Sequence, residues 1–296
     1  MPLISLNELE SLAPVFRGKM GNALARTVLK WLDIEKTSQL YDKHIECKGP
    51  AFTNAFFNEI DYNYAVSFFD REGRSSEFLP AGKQAQSALA TLLPEGPFIT
   101  VSNHPCGHVD GMTLIDLIAP LRSDYKVLVN KILGRVHTLD DNFITVTPTG
   151  DKKTAPTAES IQGIRLALRH LRDGGSLGLF PSGAVSDLSM KDRSIRDRQW
   201  QEPMIRLIEK VKVPVLPIRF FDGNTLFYYL LGLIDWRVRL LRLIPEVYTK
   251  AGKIMHVGIG PLITVEEQQK AASSGTDNLA RLLRSSVYAM DSPKIK

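Results

Sequence analysis

The stretch Pro97–Ile118, PFITVSNHPCGHVDGMTLIDLI, gathers His104, Cys106, His108 and Asp110 within seven residues. Several chemistries suit these side chains. An imidazole titrates near neutrality, so His104 can take a proton from a hydroxyl as it attacks a carbonyl. A carboxylate such as Asp110 on the other ring nitrogen fixes the tautomer and steadies the imidazolium. His104, Cys106 and His108 are also zinc-type ligands, but they recur at every second residue, without the usual paired spacing or a second Cys/His cluster. Cys106 brings in a covalent acyl-cysteine route. The plainest role is structural: Asp110 as the N-cap of a helix starting at Gly111, with His104 an ordinary loop residue.

These residues need elements to hold them. Phe98–Val101 reads as a short buried strand and 112–121 as a helix, so the histidines leave the carboxyl end of a strand, where open α/β sheets gather ligands. From Pro94 onward, strand-like runs at PFITVS, KVLVN (126–130), NFITVTP (142–148), SLGLFPSG (176–183), VPVLPIRFF (213–221) and KIMHVGIG (253–260) alternate with helical stretches at 112–121, 157–172 and 199–211. This pattern predicts an α/β fold, with a mixed, largely parallel sheet covered by helices. The expected organisation is a helical N-terminal region over 1–93, an α/β core over 94–270, and a C-terminal helix and tail over 271–296.

Two amphipathic segments stand apart. GNALARTVLKWLDI sets Leu24, Val28, Trp31 and Leu32 on one face, with Arg17, Lys19, Arg26 and Lys30 toward the other. It reads as a packed helix or as a basic helix on an anionic membrane surface. TLFYYLLGLIDWRVRLLRLI (225–244) passes from an apolar run to Trp236, Arg237, Arg239 and Arg242, a pattern of interfacial residence. A third segment, MKDRSIRDRQW, interleaves Lys191, Arg193, Arg196 and Arg198 with Asp192 and Asp197, either a solvated loop or a basic rim for anionic groups.

The formal net charge of +5 suits an anionic partner, while 44% hydrophobic and 23% charged residues are ordinary for a globular chain. The two cysteines, Cys47 and Cys106, imply no disulfide framework. No secretory leader is expected, and no apolar run approaches the roughly 20 residues of a membrane span. Basic and aromatic residues are not interleaved as in a nucleic-acid module, so no nucleic acid is expected as a partner.

The stretch SNHPCGHVDG resembles the first signature of the glycerolipid acyltransferase family, of the lysophosphatidate acyltransferase type. Five residues separate His104 from Asp110 where the commonest form has four. That spacing is similar to a bacterial branch, once labelled hemolysin-like, that makes ornithine- or glycine-containing aminolipids. VNKILGRVHTLDDNFITVTP (129–148), GLFPSGAVS (178–186) and VPVLPI (213–218) resemble its second, third and fourth blocks, in order. The resemblance implies a glycerol-3-phosphate acyltransferase-like fold and O-acyl transfer from a thioester, on acyl carrier protein or coenzyme A, to a lysolipid hydroxyl. No cofactor is implied.

It also implies that His104 and Asp110 are catalytic, and that Asn103, Gly107, Gly111, Lys131, Arg135, Phe180, Pro181, Ser182, Gly183 and Ser186 bind substrate. Backbone N–H groups near Gly183 are the expected oxyanion donors. The third block departs from the common form: Ser182 replaces a glutamate and Val185 a basic residue. The departure points away from lysophosphatidate and toward lyso-ornithine or lyso-glycine lipids. A peripheral place on the cytoplasmic face of the inner membrane follows as the expectation, and a metal- or cysteine-dependent lipid or thioester hydrolase is the alternative.

Overall fold

The computed structural model describes residues 17–147, 158–234 and 236–291. The described chain opens with helices α1 (Gly18–Trp31), α2 (Ile34–Lys43) and α3 (Pro50–Glu59), followed by strands β1 (Tyr62–Phe68) and β2 (Leu79–Pro80) and helix α4 (Lys83–Ala90). Next come β3 (Ile99–Ser102), α5 (His108–Ile118), β4 (Lys126–Asn130), β5 (Phe143–Val146), α6 (Ala158–Arg172) and β6 (Leu177–Leu179). A small antiparallel pair, β7 (Asp187–Ser189) and β8 (Ser194–Arg196), precedes α7 (Glu202–Val211) and β9 (Val215–Phe220). The chain closes with α8 (Leu226–Ile234), α9 (Trp236–Glu246), β10 (Lys253–Ile259), α10 (Val265–Ala272) and α11 (Thr276–Tyr288).

Eight strands form one mixed, mostly parallel sheet in the order β2-β1-β10-β9-β3-β6-β4-β5. β3 lies between β9 and β6 and runs parallel to both, with Ile99 opposite Val215 and Leu177. β10 is antiparallel to β9, and β1 is parallel to β10. Every residue of β3 is buried, as a strand covered on both faces must be. Phe52, Phe56 and Phe57 of α3 and Leu114, Ile115 and Ile118 of α5 belong to one core. Ala167 and Leu171 of α6, Ile205 and Ile208 of α7, and Leu279, Leu283 and Val287 of α11 belong to the other. Because β3, β6 and β9 are parallel, the loops after them emerge at one edge. His104, Phe180–Ser186 and Asp222 therefore meet there.

The expected alternation is present, with two differences. The helical pattern expected up to about residue 93 is interrupted by β1 and β2 before α4 resumes it; the buried Tyr62, Tyr64 and Val66 of β1 recur with the period of two that a strand requires. Seven residues of pairing with β10, far away in sequence, complete this strand. The helix of the first block also begins at His108, ahead of the expected Gly111.

Candidate active site

His104 lies in the turn between β3 and α5. Its Nδ1 stands 3.0 Å from Oδ2 of Asp110, a carboxylate only 1% exposed. The angle falls short of a well-formed hydrogen bond, since this buried nitrogen has no partner that meets hydrogen-bond geometry. Catalytic hydrogen bonds are often this loose before substrate tightens them. The same Oδ2 accepts the main-chain N–H groups of Cys106, at 2.9 Å, and Gly107, at 3.0 Å. Asp110 is therefore the third residue of α5, reaching back over the helix start. The cap is Gly107, with φ +76°, a conformation that L side chains rarely adopt. A Cβ on Gly107 would also stand 2.8 Å from Leu243. The carboxylate thus steadies the helix terminus and faces His104 at once.

The loop after β6 packs on this turn. Phe180 stacks on the His104 ring with centroids 4.0 Å apart, and a Cβ placed on Gly111 would lie 3.9 Å from the Phe180 ring. The His104 carbonyl accepts the Ser186 N–H at 2.8 Å. The His104 N–H donates to Oδ1 of Asp197 at 3.1 Å, an oxygen that also accepts the Ser186 hydroxyl at 2.6 Å. Trp200 donates its indole N–H to the other Asp197 oxygen. Burial raises the Asp197 carboxyl above its ordinary value, and these donors only partly offset it. Asp197 was legible only as one charge in a basic run; just after β8, it lies buried against His104, Ser186 and Trp200.

The polar groups expected to bind substrate are partly occupied. Both ends of the Asn103 amide are taken by the main chain of Phe220, at 2.8 and 2.7 Å, tying β3 to the end of β9. Of the N–H groups near Gly183 expected at an oxyanion, that of Gly183 itself donates to the Phe180 carbonyl at 2.9 Å. Ser182 gives its hydroxyl to the Ala184 carbonyl, and Pro181 accepts the Gln201 N–H. Lys131 and Arg135 bound a short 3-10 turn after β4, exposed at the same edge of the sheet with β6 between them and β3. Two of the four cations in the expected basic rim are paired with acids, Arg196 with Asp192 and Arg198 with Asp187.

Burial, with the Asp110 charge behind it, pushes the Cys106 thiol well above its ordinary range, so it stays protonated and a poor nucleophile. Burial also lowers His108 to about 4, helped by the Lys250 ammonium and by His104, so this second imidazole is neutral near pH 7. Among the described residues no three His, Cys, Asp or Glu side chains gather as a metal would need.

Support from below comes from residues with no motif to announce them. Lys250 is 2% exposed and donates to Oδ1 of Asn224 at 2.7 Å and to the Glu246 carbonyl. Asn224 and the Tyr229 hydroxyl both donate to the Pro105 carbonyl, at 3.2 and 2.9 Å. Arg239, buried, pairs with Asp187 and leans on the carbonyls of Val185 and Ser186. His256 and Asp222 form a second imidazole–carboxylate pair at 3.0 Å, with the Asp222 carbonyl 3.8 Å from the Cys106 sulfur.

The family described as acyltransferase matches residues 56–292. A protein of Bacteroides thetaiotaomicron named lyso-glycine lipid O-acyltransferase is 27% identical over 216 residues, 70% of this chain and 74% of its own. One of the same name from Phocaeicola vulgatus is 24% identical over 264 residues, 87% of this chain and 86% of its own. Among solved structures, the 1-acyl-sn-glycerophosphate (LPA) acyltransferase PlsC of Thermotoga maritima aligns with 93% of this chain and 85% of its own, at 13% identity and a TM-score of 0.46.

Proposed function

The chain belongs to the acyltransferase family, and from that premise we propose that it moves a fatty acyl group from a thioester to the hydroxyl of a lysolipid with an amino-acid headgroup. The observation that carries the mechanism is the 3.0 Å approach of His104 Nδ1 to a buried Asp110 carboxylate that two main-chain N–H groups already hold in place. With Nδ1 turned to Asp110, Nε2 is the ring atom left for substrate. It takes the proton of the lysolipid hydroxyl as that oxygen bonds to the thioester carbonyl carbon. The Asp110 charge stabilises the imidazolium that forms. When the tetrahedral intermediate collapses, the carbon–sulfur bond breaks and the imidazolium returns its proton to the leaving thiolate.

The names of the two relatives favour a lyso-glycine lipid as acceptor. Ser182 and Val185, which leave the third block without an acidic and a basic group, point the same way. The donor is an acyl carrier protein or coenzyme A thioester, and the acceptor is drawn from the cytoplasmic face of a membrane on which the protein rests peripherally. No described helix is long and apolar enough to cross a bilayer.

The test is transfer of a labelled acyl group by the purified chain from acyl carrier protein or coenzyme A to lyso-glycine lipid, lyso-ornithine lipid and lysophosphatidate in parallel. The amino-acid acceptors are expected to react fastest. His104→Ala is expected to lower turnover by about 10³-fold or more. A His104→Ala protein with full activity, or reaction with lysophosphatidate alone, overturns the proposal.

A further inference from the structure

Helices α8 and α9 form a hairpin with two unlike faces. On α8, Leu226, Phe227, Leu230, Leu233 and Ile234 stand exposed along one helical stripe, Ile234 by 82%, whereas Tyr228 and Tyr229 are buried. Leu240 of α9 and Trp31 of α1 are exposed as well. The Arg242 guanidinium joins the three helices, 5.2 Å from the Trp31 ring and 5.7 Å from the Phe227 ring. Scattered exposed leucines need no explanation, but a contiguous apolar face of this kind marks an interaction surface.

Charge indicates what covers it. Arg26 and Lys30 of α1 are exposed and Arg242 of α9 lies at the margin of the stripe, while Arg239 is buried and paired inward with Asp187. The one acid in the sequence of these three helices is Glu246, which Arg242 approaches at 3.4 Å. Glu246 is buried, accepting the Thr225 N–H and hydroxyl. A protein partner of matching shape would need polar groups to satisfy, whereas this stripe is apolar with aromatic and cationic residues at its margin. That combination suits the boundary between acyl chains and anionic headgroups.

We propose that the outer face of α8 and α9, with Trp31, is a docking surface for a lipid bilayer bearing anionic headgroups. It deepens the reading of the chain as a lysolipid acyltransferase, because it names the surface through which the acceptor arrives. The inner face is fastened to both halves of the site. Tyr229 donates to the Pro105 carbonyl beside His104, and Arg239 is paired with Asp187 beyond Ser186. Gly232 makes the second contact feasible, since a Cβ there would lie 2.8 Å from Cδ of Arg239. Leu243 rests against Gly107 at the start of α5. A docked hairpin therefore seats the catalytic turn immediately below the membrane surface.

The test is co-sedimentation of the full chain with phosphatidylcholine vesicles, with and without roughly 30% phosphatidylglycerol, for the native protein and for Leu230→Glu/Ile234→Glu. Native protein is expected to bind the anionic vesicles, with binding weakened by added salt, and the variant to bind at least ~10-fold less. Transfer to a short-chain acceptor dissolved below its micelle concentration is expected to stay within about twofold, because both residues face away from the site. Equal binding by variant and native protein overturns the proposal, as does a native protein that ignores vesicles. A native dimer that the variant splits, without vesicle binding, assigns the face to a second copy instead. If vesicle binding holds and no lysolipid is ever acylated, the functional reading fails and the surface stands. Transfer with no vesicle binding fails the surface alone.

Discussion

Asp110→Asn separates the two tasks of this carboxylate. Its oxygen accepts the N–H groups of Cys106 and Gly107 and faces His104 at 3.0 Å. An asparagine of the same shape keeps an oxygen for the two main-chain donors but loses the charge. At an effective dielectric of about 20, opposite charges at this separation attract by roughly 5 kcal/mol, an upper bound for the imidazolium. The imperfect angle and the retained amide dipole reduce this to about 3–4 kcal/mol, or a 10²–10³-fold loss in kcat. Stability should hardly change. Asp110→Ala, by contrast, strands two buried N–H groups at about 1–3 kcal/mol each, and its melting temperature should fall by several degrees. The assay is single-turnover acyl transfer beside thermal melting of both variants. If Asp110→Asn keeps kcat within about threefold of the native protein while Asp110→Ala melts early, the carboxylate is only a helix-start bond and the catalytic argument is refuted.

Cys106→Ala should keep turnover within a few fold, because the buried thiol is held protonated, and native Cys106 should resist iodoacetamide at neutral pH until the protein unfolds. A dead Cys106→Ala protein that still folds would restore the covalent route. Asn103→Ala removes both amide bonds to Phe220 and should cost about 2–4 kcal/mol in urea titrations. Lys250→Met should raise the His108 pKa above about 4, read by histidine NMR, since the ammonium helps hold it down. Because the folded value of His108 lies below the ordinary 6.5, its contribution to stability is present above pH 6.5 and is lost as pH falls toward 4. His108→Gln should therefore flatten the urea midpoint across that window, and an unchanged slope would place the acid sensitivity elsewhere.

The juxtaposition of His104 and Asp110 was legible because both residues lie in one turn, where spacing of a few residues limits how far apart they can stand. Strands such as 126–130 were legible for a similar reason, since a continuous apolar run between turn residues has few other fates. β1 was harder to see, although Tyr62, Tyr64 and Val66 alternate, because its partner β10 lies nearly two hundred residues later. In sequence Asp197 reads as one acid in a basic run and Arg239 as an interfacial cation, whereas the fold buries both, along with Lys250. Nothing local distinguishes them from Lys191 or Arg196, which the fold leaves in solvent or pairs at the surface.

What the amino-acid order determined alone was the local grammar: alternating strands and helices, and a histidine and an aspartate brought together within one turn. What only the tertiary structure decided was which polar groups remain free for substrate and which are absorbed in holding the turn. Asn103, Gly183 and Ser186 had the right types to touch a ligand, yet the Asn103 amide meets Phe220, the Gly183 N–H meets Phe180, and the Ser186 N–H and hydroxyl meet His104 and Asp197. Burial of a polar atom without a partner is costly, so the fold satisfies such atoms with whatever the parallel strands bring to the same edge. That choice depends on contacts between residues tens to hundreds of positions apart, and only the closed sheet brings them together.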